Sequence, residues 1–226
     1  MGSFSVRPSA SGLLRLSGGG FARTLRMAAE CEREGRREEA CRMRFEAVQR
    51  LIDGLDDDAR LDWEDGEARA AMELLYASAA DHLSVGDVEM AVAIWERLTD
   101  CDEEDRLEAV VMLAFCYPVL EEWECFDDAM FDVPMKSPEY SLLTLWCGFC
   151  RCGGIDRDAL RTLRTRHKAW YDEFVAAEHP ASEEFVAEIR GEHPSAQAEA
   201  RELWFATESL WRLRGSIHRK SEAKRS

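Results

Sequence analysis

Gly35 and Gly86 each interrupt a helical apolar stripe, and a second stripe begins within two residues of each. A glycine C-cap allows so abrupt a stop, and a connection this short makes consecutive helices neighbours in space. The same periodicity runs almost end to end. It predicts helices over 21–34, 36–53, 66–85, 87–100, 104–117, 119–131, 138–152, 155–177, 181–190 and 195–214. Asp87 and Asp156 stand where N-caps are wanted, and Pro134, Pro138, Pro180 and Pro194 fall in connectors or at helix starts. Glycine (14) and proline (6) are scarce, and no β-branched alternating run competes. The expected class is all-α.

Short helix pairs in series raise the question of repeats. With Gly35, Gly86, Glu121 and Gly154 as inter-helix turns, Ala40, Ala91, Phe126 and Ala159 come five residues later. Ala28, Ala79, Ala114 and Cys147 precede the same turns by seven. The best unit holds Leu75, Ala79, Gly86, Ala91, Trp95 and Leu98. The third has Phe126 where a small residue belongs, and the first has Arg44 at an aromatic position. On these residues the chain resembles the tetratricopeptide repeat family, whose unit is a 34-residue helix pair. The resemblance spans roughly 21–173.

It implies an α-solenoid of stacked antiparallel helix pairs over 21–177, because one pair alone cannot bury both its faces. Residues 178–218 would supply C-terminal helices on the last repeat, with 195–214 as the capping helix. Residues 1–20 are expected as a flexible basic Ser/Gly-rich leader, and 219–226 as a disordered tail. The resemblance also implies a concave groove, at Ala22, Leu25, Ala29, Tyr76, Ala80, Val111, Phe115, Thr144 and Gly148. Only Arg33 and Arg151 are basic at such positions, and asparagine is absent from the chain. That argues against a clamp for a peptide's terminal carboxylate and for an apolar groove.

Charge narrows the partner. The net charge is -16, yet residues 1–50 carry +4, 51–140 carry -21 and 141–226 carry +1. Such a balance disfavours nucleic acid and anionic membrane. It suits a solvated face or a docking face for a basic partner, at Asp56, Asp57, Asp58, Asp102, Glu103, Glu104 and Asp105. The longest apolar run, Ala109 to Leu120, is too short to span a bilayer. No secretory run is visible, and eight cysteines in so long a chain read as reduced thiols, so a cytoplasmic location is expected. The acid-free stretch before Glu30, with Arg7, Arg15, Arg23 and Arg26 among serines, would also suit an organellar transit peptide.

Chemistry is sparse. There is no phosphate-binding glycine loop, zinc-protease helix or nucleophile elbow, and no cofactor is called for. Cys147, Cys150, Cys152 and His167 could in principle bind zinc or sense redox state, but the first two fall on packing positions of the repeat. Trp63 sits among acids and could anchor a basic segment. Glu178-His179-Pro180 and Glu192-His193-Pro194 read as helix ends, with Ser182 and Ser195 ready to cap the next helix in each case. The expectation is a non-enzymatic scaffold binding another protein's basic or amphipathic segment through its groove and acidic middle. A metal or redox sensor and an acidic nucleic-acid mimic are the alternatives.

Overall fold

The computed structural model of the chain describes residues 4–222, with side chains as far as Arg212. It is mostly helical. In chain order come β1 (Ser5–Pro8), β2 (Leu14–Ser17), α1 (Phe21–Arg33), α2 (Arg37–Gly54), α3 (Gly66–Ser84) and α4 (Val88–Cys101). Next are α5 (Ala109–Leu120), α6 (Trp123–Asp132), α7 (Pro138–Cys152), α8 (Arg157–Arg166), α9 (Lys168–Phe174), α10 (Glu183–Ile189) and α11 (Ala196–Glu222). The chain divides into two compact units, Met1–Val110 and Val111–Ser226. This boundary falls inside the segment expected to hold the repeats.

In the first unit α1 packs on α2, and α3 packs on α1, α2 and α4. Ala28, Ala40, Ala79 and Ala91 are fully buried, as close helix approach requires. The leader is corrected here: residues 5–17 are ordered. β1 and β2 pair antiparallel, with Val6 opposite Leu16 and Arg7 opposite Arg15. Gly12, at a φ of 86°, makes the turn. β2 is then tied to the first unit. Leu14 N donates to Arg60 O (2.7 Å), Asp62 N donates to Leu14 O (2.9 Å), and Arg15 Nε donates to Asp62 Oδ2 (2.7 Å). Leu16 is buried at 3% exposure. Burial of one leucine and these long-range bonds hold a strand too short to announce itself by alternation.

In the second unit α7 packs on α8, α8 on α9, and α11 on both α9 and α10. The expected helix 155–177 is two helices, divided at His167, whose backbone (φ -123°, ψ 49°) leaves the helical region. α11 extends through Glu222, so residues 219–222 of the expected tail are helical, while 223–226 lie outside the described residues. Ser182 and Ser195 accept from Phe185 N and Ala198 N, both at 3.2 Å, the capping roles their sequence positions suggest.

Three turns share one geometry. Gly35, Gly86 and Glu121 adopt left-handed φ values of 77°, 85° and 63°. After each, the next N–H donates to a carbonyl five residues back: Arg36 to Cys31, Asp87 to His82 and Glu122 to Tyr117. This is the Schellman C-cap. At the fourth turn the left-handed residue is Gly153 rather than Gly154. Glu121 occupies a conformation that costs a side-chain-bearing residue about 1–2 kcal/mol, part of which glycine's greater unfolded-state freedom offsets. Glu121→Gly should therefore raise unfolding free energy by about 0.5–1 kcal/mol in urea melts. A loss of stability would show that the glutamate side chain contributes more than its backbone costs.

Candidate functional site

α6 is amphipathic with an unusual outer face. Trp123, Phe126 and Met130 recur at helical spacing; Phe126 is buried, and the other two are half-buried. Arg151 of α7 lies over the Trp123 ring at 4.9 Å, which fixes this face inward. The outer face presents Glu124, Asp127, Asp128 and Phe131, spaced three and four residues apart on one stripe. Glu121, Glu122 and Asp132 extend the charge, and 121–132 contains no Lys or Arg. None of these six acids joins an ion pair among the described residues. Within this charge stands Phe131, 87% exposed; Met135, 77% exposed, lies just beyond it beside the exposed Lys136. A large apolar side chain is thus bared on an acidic helix face.

The acids expected to dock a partner divide into two kinds. Asp56, Asp57 and Asp58 are exposed, as are Glu103 and Glu104, although Glu103 pairs with Arg60 (2.7 Å) and Glu104 with Arg106 (2.7 Å). Asp102 is corrected: it is buried at 4% exposure, paired with Arg106 and accepting from the Arg106 N–H. Asp105 has a structural task as well. Its carboxylate accepts from Ala109 N (2.7 Å) and Val110 N (3.1 Å), which delays the start of α5 to residue 109. Burial raises the Asp105 pKa, against these two bonds, which lower it. Trp63 is no open anchor either, since Arg106 lies over its ring at 5.7 Å.

The expected groove residues are divided between the two units. Ala29, Tyr76 and Ala80 belong to the first unit, and Val111, Phe115, Thr144 and Gly148 to the second. Ala29 is exposed, while Tyr76, Ala80, Val111, Thr144 and Gly148 are half-buried. Tyr76 packs edge-on against Trp95, and Thr144 Oγ1 donates to the Tyr140 carbonyl. Phe115 is fully buried and is corrected from groove anchor to core residue, with its ring edge-on to Trp211 at 6.1 Å.

Cys147, Cys150, Cys152 and His167 are not brought together. Among the described residues no group of three His, Cys, Asp or Glu side chains is placed to hold a metal ion. Cys147 is buried, and that burial raises its thiol pKa. Cys152 is exposed, with its thiol donating to the Gly148 carbonyl (3.2 Å). Elsewhere burial pushes the Cys101 thiol up to about 11 and the Cys116 thiol up to about 12, far from the thiolate that nucleophilic or redox chemistry uses.

No family model, curated protein or solved structure matches this chain. Its site must therefore be read from its own side chains.

Sequence reasoning missed one polar centre. Glu173 of α9 is 2% exposed and accepts from Arg201 Nε (2.7 Å), Arg201 Nη2 (2.9 Å), His179 Nδ1 (3.0 Å) and Gln197 Nε2 (3.3 Å). The Arg201 hydrogen bonds, helped by His179 and Gln197, hold its carboxyl down at about 2 against the burial that opposes them. The His179 ring stacks on Trp204 at 3.6 Å. With every lone-pair direction engaged, this carboxylate is a structural clamp on α9, α11 and the 179–180 connector.

Proposed function

We propose that this protein is a non-enzymatic helical interaction module of the tetratricopeptide-like kind, which docks a basic amphipathic segment of another protein on α6. The observation that carries the reading is Phe131, exposed among the six acids of 121–132, a stretch without Lys or Arg, with Met135 exposed just beyond it. A basic amphipathic helix complements both features at once, with cations for the carboxylates and an apolar stripe for Phe131. The three like turns and the buried alanines beside the first two support the scaffold part of the reading. Among the described residues no helix is long and apolar enough to cross a membrane. The reading assigns the cytoplasm, since eight unbridged cysteines suit a reducing compartment.

A fluorescein-labelled 14-residue leucine/lysine amphipathic peptide tests this with the full chain. Phe131→Ser with Met135→Ser should weaken binding about tenfold, chiefly through faster dissociation, because apolar anchors carry binding energy. Glu124→Gln with Asp127→Asn and Asp128→Asn should instead slow association and flatten its salt dependence. Neutralising Asp56, Asp57 and Asp58 serves as the charge-matched control. Equal losses from the control and the α6 acids would reduce the effect to net charge and remove α6 as the docking face.

A further inference from the structure

The second unit contains an open pocket of about 350 Å³ whose lining side chains, among the described residues, are all apolar. Trp146, Phe149, Phe174, Trp204 and Trp211 form its aromatic wall, and Ile155, 66% exposed, stands at its rim. We infer that this pocket is a binding site for a small uncharged apolar molecule about two aromatic rings in size.

Size is the first argument. Protein interiors carry few voids larger than a water molecule, and an engineered apolar cavity of roughly 150 Å³ already takes up benzene. A space of 350 Å³ lies within the range of about 300–1,000 Å³ typical of small-molecule sites.

Rigidity is the second. An apolar wall free to move would collapse and fill the space, but these rings are held from behind. Trp211 meets Trp146 edge-on at 4.3 Å and Phe174 at 5.8 Å, and its Nε1 donates to Thr207 Oγ1 (2.9 Å). Trp146 Nε1 donates to the Phe115 carbonyl (2.8 Å). Trp204 is backed by His179, which Glu173 fixes in turn. The buried ionic clamp thus sets one wall of an apolar pocket.

Chemistry is the third. Two of the three indole N–H groups are already engaged, and among the described residues no charged side chain lines the pocket. A charged ligand would lose its hydration there without a partner, whereas an uncharged hydrocarbon or aryl group gains from leaving water. The pocket is separate in residues and in chemistry from the acidic face of α6.

The neutral probe N-phenyl-1-naphthylamine tests the inference, because its emission rises in apolar surroundings and it accepts energy from nearby tryptophan. The full chain should bind it saturably at one site, with quenching of tryptophan emission and a raised melting temperature. Ile155→Asp, which places a charge at the exposed rim, and Leu145→Trp, which fills the space, should each weaken binding at least about tenfold. Ile155→Asp should leave melting unchanged, so it remains informative even if Leu145→Trp misfolds. Absence of saturable binding up to the solubility limit, or equal binding by wild type and Ile155→Asp, overturns the inference. Displacement of the probe by the leucine/lysine peptide would give the pocket to a docked protein segment and overturn it equally.

Discussion

Glu173→Gln should lower the unfolding free energy by about 3–5 kcal/mol, the cost of breaking a buried ion pair from one side. Arg201 and His179 would then face an uncharged amide that cannot accept two guanidinium bonds and an imidazole together. Glu173→Leu with Arg201→Met should recover part of the loss, because a well-packed apolar replacement avoids desolvating charge. The depressed carboxyl also sets a pH dependence. Its contribution is complete above the ordinary value of 4.5 and is lost as pH falls from there towards about 2. Over that window the wild type should lose about 3 kcal/mol that Glu173→Gln has already lost, so the two stability curves converge in acid. Urea melts from pH 7 to pH 2 measure this. Parallel curves would mean that Glu173 is not the group responsible.

Arg44→Ala should cost a comparable amount in the first unit, about 3–5 kcal/mol. Arg44 is 5% exposed and forks onto the Asp81 carboxylate through Nε (2.7 Å) and Nη2 (2.8 Å), while Nη1 meets Glu32 at 2.9 Å. One guanidinium therefore joins α1, α2 and α3. Arg44→Lys should recover little of the loss, since an ammonium cannot make the bidentate contact. Guanidinium chloride melts should show a lower midpoint at unchanged slope, the sign of lost stability rather than a changed denatured state. A midpoint indifferent to Arg44→Ala would leave the helices held by apolar contacts alone.

That arginine also shows what the sequence made legible. Periodicity and glycine caps place α1 to α4 within one or two residues, because those signals are local. Arg44 reads locally as a decayed aromatic position, yet its partner Asp81 lies 37 residues away, beyond any periodic pattern. Glu173 and Arg201, 28 residues apart, are hidden for the same reason. The groove positions failed at Phe115 because a repeat register says which residues share a stripe, not what covers it. Asp105 moved the start of α5 because its carboxylate caps from outside the helix. The acidic face of α6 was half visible. The acidic excess of the middle segment marks 121–132, and Phe131, five residues after the buried Phe126, is off the inner face by spacing alone.

The hairpin has a consequence for how the chain is made. β2 is closed on its outer side by residues around 61, whose own N–H donates to the carbonyl of Cys101. At about 5–20 residues per second, the 47 residues from Arg15 to Asp62 take a ribosome roughly 2–10 s to add. A strand formed during that interval would have one edge unpaired, the condition in which strands recruit one another. Arg7 and Arg15, cross-strand partners and both exposed, put like charge on that ribbon. Basic residues that also read in sequence as the mark of a leader would there oppose pairing between such edges.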